Sequence, residues 1–83
     1  MMNLPIRKQM LTKILFNKFQ SLSLSRESTA QTLCISTATL DRLKDLGLGP
    51  KWTKDKRSKN GKVTYAIDHI VDYIIEQDIY KTA

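Results

Sequence analysis

Apolar residues in the first part of the chain recur at the three- and four-residue intervals of an amphipathic helix. Asn3 and Pro5 precede them, as a capping residue and a first-turn proline do at many helix starts. We therefore predict an N-terminal helix over 5–19, whose other face carries four bases. We expect these bases to face solvent rather than to lie along phosphates. The apolar positions are Ile6, Met10, Leu11, Ile14, Leu15 and Phe19, and the bases are Arg7, Lys8, Lys13 and Lys18.

The next segment, 25–46, has the pattern of two short helices joined by a turn. Ser25 and Ser36 stand where an N-cap hydroxyl accepts a hydrogen bond from an amide of the following turn. They predict helices over 26–33 and 37–46. Residues 20–25 alternate between polar and apolar side chains over too short a stretch to distinguish a short strand from an extended linker.

Side-chain sizes in this segment fit a helix-turn-helix. Ala30 is small where the two helices cross, and Ile35 fills the turn. Leu40 and Leu43 face back onto the first helix. Cys34 stands where such turns commonly have glycine in a left-handed conformation, so we expect modest strain there and no redox role.

The chain after the second helix predicts a β-hairpin over 51–66. Asn60 and Gly61 form a strong tight-turn signal. Strands over 51–54 and 62–66 flank the loop that contains them.

Residues around the hairpin complete the pattern. Gly47 closes the second helix at a position where positive φ is common. Trp52 and Tyr65 are expected to anchor the hairpin on the core. Asp68 is expected to cap a C-terminal helical segment over 68–80, in which the helix itself begins at residue 69. The residues predicted to face inward on it are Ile70, Tyr73, Ile74 and Ile79.

These elements predict one domain, 1–83, that is mainly α with a small β-hairpin and one small core. Cys34 and His69 are the only residues of their types, so we expect no disulfide, no zinc site and no cofactor. No run approaches the ~18–20 apolar residues of a membrane span, and the N-terminus lacks the pattern of a secretory signal. We expect a cytoplasmic protein with no membrane partner.

Positive charge is concentrated in two parts of the chain, whose formal net charge is +6. Residues 1–20 carry +4 and residues 51–62 carry +5, whereas 21–50 are neutral and 63–83 carry −3. This distribution is typical of a polyanion binder, although a solvated basic surface fits the composition equally well. Neither a phosphate-binding loop nor a nucleophile elbow occurs, so we do not expect an enzyme.

A set of residues between positions 24 and 75 matches a known family in order and spacing. It comprises Leu24, Ser25, Ala30, Leu33, Ile35, Ser36, Thr39, Leu40, Arg42, Gly47, Gly49, Pro50, Val63, Thr64, Tyr65, Ile70, Tyr73 and Ile74. Here the chain resembles the excisionase-like branch of the MerR-type winged helix-turn-helix superfamily, which includes small phage and mobile-element regulators. Cys34 and a long hairpin loop depart from the family pattern. The fold implied is a winged helix-turn-helix with an extra N-terminal helix, which lies outside the resemblance.

The resemblance implies double-stranded DNA binding, with the second helix of the motif in the major groove and the hairpin wing on the backbone or in the minor groove. In a helix-turn-helix, the N-terminal part of the recognition helix meets base edges. Arg42 is the only long donor there, and a bidentate contact to guanine supplies about 1–3 kcal/mol of discrimination. The alternative is an ion pair between Arg42 and Asp41 or Asp45 of its own helix. The candidate base-reading residues are Ser36, Thr37, Ala38, Asp41 and Arg42.

Phosphate attraction is expected mainly from the hairpin, because the recognition helix is nearly neutral. Phosphate contacts position the protein on DNA, whereas base contacts specify the site. Lys56 or Arg57 at the tip is expected to enter a minor groove. The alternative is that these charges only keep the loop solvated. The candidate backbone-binding residues are Ser25, Thr39, Lys44, Lys54, Lys56, Arg57, Lys59 and Lys62.

We therefore expect a transcriptional regulator or an excisionase-like recombination directionality factor, with the transcription machinery or an integrase as a further partner. A small winged domain binds DNA weakly alone, so a homodimer or a cooperative assembly on DNA is expected. The alternative is a protein-docking module, such as an assembly or packaging subunit, that uses the apolar side of the N-terminal helix. Binding of single strands or RNA favours exposed aromatics among bases, whereas Trp52 is expected in the core.

Overall fold

The computed structural model describes residues 4–56 and 61–82. These residues form four helices and a small three-stranded antiparallel sheet, an arrangement that is compatible with a winged helix. Across the described residues, every helix falls short of the length and apolarity that a membrane span needs. In chain order the elements are α1 Leu4–Phe19, β1 Ser23–Ser25, α2 Arg26–Leu33, α3 Thr37–Asp45, β2 Thr53–Lys54, β3 Val63–Ala66 and α4 Ile67–Thr82.

Local side-chain chemistry sets the starts of α2 and α3, and both predicted caps are confirmed. Ser25 Oγ accepts a hydrogen bond from the Ser28 amide at 3.1 Å. Ser36 Oγ accepts one from the Thr39 amide at 3.0 Å. Each bond satisfies an amide that has no partner inside its own helix. Helix α3 ends at Asp45, one residue before the predicted end at residue 46.

The turn between α2 and α3 runs through a left-handed residue. Cys34 has φ 59° and ψ 38°, and Gly47 after α3 has φ 75°. The Cys34 amide donates to the Gln31 carbonyl at 3.1 Å, and the next amide, that of Ile35, donates to the Ala30 carbonyl at 3.0 Å. The left-handed backbone expected at both positions is confirmed, and the thiol of Cys34 is exposed.

The sheet has the strand order β1-β3-β2, and both strand pairs are antiparallel. Leu24 in β1 lies opposite Tyr65 in β3. Thr53 in β2 lies opposite Thr64 in β3. The expected hairpin is therefore present with shorter strands, and the segment ahead of α2 is a third strand rather than a linker. Because β1 runs directly into α2, the sheet fixes where the helix pair begins.

The core lies between α4, the sheet and the inner faces of α2 and α3. Tyr65 is 0% exposed, which confirms its predicted anchoring role. The last helix begins at Ile67, directly after β3, so Asp68 lies in its first turn and the prediction that it caps a helix starting at residue 69 is wrong. The Asp68 carboxylate instead accepts a hydrogen bond from the His69 amide at 3.0 Å. The buried residues are Leu15, Leu24, Thr29, Ala30, Leu40, Pro50, Tyr65, Ile67, Ile70, Val71 and Ile75.

The stripe that α4 turns toward the core is broader than predicted. Ile70 is buried and Ile74 packs against the core as a partly buried residue, as predicted, whereas Tyr73 is half-buried outside this cluster. Val71 and Ile75 are also buried, at the three- and four-residue spacing of one helix face. The predicted inward residue Ile79 lies outside the described side chains.

The N-terminal helix α1 closely matches its prediction and packs along α4. Leu15 is buried, and Leu11 and Phe19 pack against the core as partly buried residues. The other three apolar positions stay on the surface, so the single apolar face expected from the sequence is divided between the core and solvent. These positions are Ile6, Met10 and Ile14, which are 47%, 49% and 58% exposed.

Candidate nucleic-acid interface

The buried face of α3 determines which of its side chains point outward. Leu40 is 1% exposed and fixes the inner face. Ala38 and Arg42 are both exposed, and their four-residue spacing puts them on one outer face. Two of the five predicted base-reading residues thus share the surface that is open to a ligand.

The hydroxyl groups at the start of α3 are engaged with one another. Ser36 Oγ donates to Thr39 Oγ1 at 2.9 Å while accepting from the Thr39 amide. Thr37, in the first turn, is half-buried. The structure therefore gives Ser36 a capping role in the free protein, and it leaves Thr39 exposed beside that cap.

Asp41 is paired across the two helices rather than within its own. The Asp41 carboxylate accepts from Arg26 Nη1 at 3.1 Å, and the side chains of Asp41 and Arg26 are 34% and 44% exposed. Arg26 also lies 3.7 Å from the carboxylate of Glu27. Asp41 therefore joins α3 to the first turn of α2 in the free protein.

The alternative that Arg42 pairs with an acid of α3 is wrong within the described residues. Asp41 is held by Arg26, and the carboxylate of Asp45 lies 3.4 Å from the ammonium of Lys44. The acids nearest in sequence are thus taken by other bases, and the guanidinium of Arg42 extends from the exposed face of the helix.

Trp52 lies on the surface, and the prediction that it anchors the hairpin in the core is wrong. The residue is 44% exposed, and the ammonium of Lys44 lies 4.8 Å from the centroid of its ring. The reason is its place just ahead of β2, a two-residue edge strand with a neighbour on one side only. Lys44, expected to contact phosphate, is packed between Asp45 and the indole with 23% of its side chain exposed.

A groove of about 390 Å³ separates α3 from the hairpin. Three acids and three bases line it, so its lining is close to neutral. Most of the phosphate attraction in this region therefore has to come from side chains outside the groove. Its lining residues are Arg26, Glu27, Asp41, Lys44, Asp45, Gly61, Lys62 and Val63.

The hairpin carries exposed bases at the end of β2, just after it and just before β3. Lys54, Lys56 and Lys62 are exposed. The Lys54 side chain lies against Gly61, in space that a Cβ at this position would need, and Gly61 has φ 64°. The positive φ favours glycine where the chain leaves the loop, whereas the flexible end of the Lys54 side chain is able to move aside. Of the other predicted backbone-binding residues, Ser25 uses its hydroxyl as a helix cap, and Arg57 and Lys59 lie outside the described residues.

A buried phenol is influenced by the charges of the cross-helix ion pair. Tyr65 is fully buried, and its hydroxyl has no hydrogen-bond partner among the described residues. Burial raises the pKa of the Tyr65 phenol above 10.0, and the negative charges of Asp41 and Asp45 add to that rise, while Arg26 opposes it. No feature of the sequence indicated that this hydroxyl is unpaired.

Comparison with known proteins gives no relative for this chain. No protein-family model matches the sequence, and neither a curated protein nor a solved structure matches it. Among the described residues, no three His, Cys, Asp or Glu side chains lie close enough to hold a metal ion. The family resemblance drawn from the sequence therefore stays a prediction.

Proposed function

We propose that the chain is a winged helix-turn-helix protein that binds double-stranded DNA with sequence specificity and regulates transcription or site-specific recombination. In this proposal α3 is the recognition helix, and the hairpin of β2 and β3 with its loop is the wing. The observation that carries it is Arg42, a long donor on the exposed face of α3 with no acid paired to it in the described chain.

The outer face of α3 suits a close approach to base edges. Ala38 presents only a methyl group one turn before Arg42, so the helix backbone is able to lie deep in a major groove. A guanidinium at that depth reaches the O6 and N7 acceptors of guanine in a bidentate contact. Arg42 is therefore the proposed source of sequence discrimination.

Asp41 and Ser36 support the recognition helix in this proposal. Asp41 engages Arg26 and Ser36 closes the N-terminal turn. Each of these bonds would have to break before that side chain met a base. We therefore assign them to positioning α3, and we assign base contacts to Arg42 with Ala38 and the neighbouring Thr37.

The wing supplies the phosphate attraction that the groove lacks. Lys54, Lys56 and Lys62 are exposed on it, and its segment carries a formal charge of +5. Lysines that neutralise phosphates release condensed counterions, so their contribution appears in the salt dependence of binding.

A salt titration with matched triple variants tests the wing. Binding to a duplex is measured by fluorescence anisotropy for Lys54→Gln/Lys56→Gln/Lys62→Gln and for a control, Arg7→Gln/Lys13→Gln/Lys18→Gln, that removes the same charge from α1. Removing one lysine that neutralises a phosphate lowers the slope of log K against log salt by about 0.9. We expect the slope to fall by up to about 2.7 in the wing variant, three times that value, and to change little in the α1 variant. Equal changes in the two variants would contradict the assignment of phosphate binding to the wing.

The exposed stripe on α1 favours a second candidate function, protein docking. Ile6, Met10 and Ile14 form an apolar stripe that is about half exposed. A docking module without DNA readout would show no retention on duplex DNA at near-physiological salt, whereas a regulator would be retained. In the DNA-binding proposal the same stripe is available for self-association on neighbouring sites.

A further inference from the structure

The chain leaves its only tryptophan half exposed beside the recognition helix. Trp52 is 44% exposed, although an indole is among the side chains that gain most from burial. The two other large apolar residues of the preceding loop, Leu46 and Leu48, are 65% and 57% exposed. The surface between the end of α3 and the start of β2 therefore offers an aromatic ring to a ligand.

One base contacts this ring and two more are its neighbours in the chain. The Lys44 ammonium lies 4.8 Å from the ring centroid. Lys51 precedes Trp52 in the chain and Lys54 follows two positions later, and both side chains are exposed. The segment 51–62 has one acid against six bases, so the part of the chain that carries Trp52 has a net positive charge.

We propose that Trp52 is a stacking platform for an unpaired nucleobase, with the exposed Lys51 and Lys54 holding the phosphates of the strand that carries it. An exposed aromatic ring among basic residues is the arrangement that binds single strands, because every base has a π face and every link a negative charge.

This site goes beyond duplex recognition and does not depend on it. The proposed base contacts to a duplex come from Arg42 and need a major groove, which a single strand lacks, whereas Lys54 is a phosphate contact in both proposals. Charge favours a nucleic-acid strand over a protein partner at this site. Leu46 and Leu48 alone would favour the apolar surface of a protein, whereas the lysines near Trp52 in the chain favour phosphates. DNA and RNA share the chemistry of base and phosphate, and the experiment separates them.

Tryptophan emission reports directly on this site, because Trp52 is the only tryptophan. The unmodified protein is titrated with an oligothymidylate, an oligouridylate of equal length, and an abasic deoxyribose-phosphate strand of equal length. We expect saturable quenching by at least one of the two base-carrying strands. The strand that binds more tightly in this titration identifies DNA or RNA as the preferred ligand. We expect no comparable change with the abasic strand. Equal quenching by the abasic strand, or none by either base-carrying strand, would overturn the proposal.

Variants test the same claim through affinity. Trp52→Ala is expected to weaken oligothymidylate or oligouridylate binding, whichever strand quenches, by about 5- to 150-fold, the range for loss of one stacked base. Trp52→Phe should lose less, because it keeps a smaller ring, and the control Leu48→Ala should lose little. Circular dichroism establishes that each variant is folded. An unchanged affinity in folded Trp52→Ala, or an equal loss in Leu48→Ala, would contradict a stacking role.

Duplex binding by the same variants keeps the two proposals separable. If single strands quench Trp52 while no duplex is retained, the regulator proposal fails and the stacking site stands. If duplexes are retained with specificity while single strands neither bind nor quench, the stacking site fails and the regulator proposal stands.

Discussion

Arg26 of α2 donates to Asp41 of α3 through a hydrogen bond of 3.1 Å between Nη1 and Oδ2. The bond spans the two helices of the proposed DNA-binding motif and is independent of the turn that joins them. Both charges act on the pKa of the buried phenol of Tyr65, which Asp41 raises and Arg26 lowers. The angle at which α3 is presented to a ligand therefore depends in part on one partly exposed ion pair.

A double-mutant cycle measures the strength of this link. Arg26→Ala, Asp41→Ala and the double variant are compared by urea denaturation. Because both side chains are about a third or more exposed, solvent screens the pair, and we expect a coupling free energy of about 0.2–1 kcal/mol. Additive effects of the two substitutions would show that the pair does not tie α2 to α3 in solution.

The unpaired phenol of Tyr65 predicts a stabilising substitution. Tyr65→Phe removes a buried hydroxyl that has no partner among the described residues and keeps the ring. We expect the free energy of unfolding at neutral pH to rise by about 1 kcal/mol, because a buried unsatisfied polar group costs about 1–3 kcal/mol. Tyr73→Phe, at a half-buried position, is the matched control. A loss of stability in Tyr65→Phe alone would mean that its hydroxyl is hydrogen-bonded.

The same phenol predicts a loss of stability at alkaline pH. Burial holds the folded-state pKa of Tyr65 above 10.0, so the unfolded chain releases this proton first. This phenol therefore leaves the free energy of unfolding independent of pH below about pH 10 and lowers it as the pH rises toward the folded pKa. The hydrogen bond and charge of Asp72 raise the pKa of Lys8 above 10.5, which acts in the same direction. Urea denaturation at neutral pH and above about pH 10 should show a steeper decline in the unmodified protein than in Tyr65→Phe. Parallel declines would contradict this account.

Cys34 is expected to limit the stability of the turn. It holds a left-handed conformation with φ 59°, which costs a residue with a Cβ about 1–2 kcal/mol. The greater entropy of glycine in the unfolded state offsets part of the gain from removing that Cβ. Cys34→Gly should therefore raise the free energy of unfolding by roughly 0.5–1 kcal/mol, and Cys34→Ala, which keeps the Cβ, should not. Thermal unfolding of both variants measures the difference, and a destabilised Cys34→Gly would show that the thiol makes a compensating contact.

Two substitutions at Ser36 separate its capping role from DNA contact. Ser36→Ala removes the bond to the Thr39 amide and should cost about 1 kcal/mol of stability. Ser36→Asp retains a capping oxygen and should be close to neutral in stability, while its charge repels phosphate if α3 enters a groove. We expect Ser36→Asp to lose duplex affinity without loss of stability. Unchanged affinity would place this end of α3 away from DNA.

Local chemistry explains what the sequence predicted well. The caps at Ser25 and Ser36 and the left-handed residues Cys34 and Gly47 depend on neighbours within a few positions, so their structures follow from short patterns. The predicted helices agree closely with the observed ones for the same reason.

Interactions between distant segments explain what the sequence left open or predicted wrongly. Pairing of β1 with β3 joins Leu24 to Tyr65, far along the chain, which turned an ambiguous segment into a strand. Trp52 has a large apolar side chain of the kind that is usually buried, and only its place ahead of a short edge strand leaves it exposed. Asp41 had bases nearby in its own helix, yet it pairs with Arg26, 15 residues away.

Selection from a random duplex library at physiological salt tests the central claim most directly. The unmodified protein, Arg42→Ala and the control Lys13→Ala, which removes an exposed base of α1, are each selected and the retained DNA is sequenced. We predict an enriched motif for the unmodified protein that Lys13→Ala retains. In Arg42→Ala, preference at one guanine position should fall by about 5- to 150-fold, as expected for loss of a bidentate contact. No enrichment by the unmodified protein, or an equally strong motif from Arg42→Ala, would contradict the claim that α3 reads DNA through Arg42.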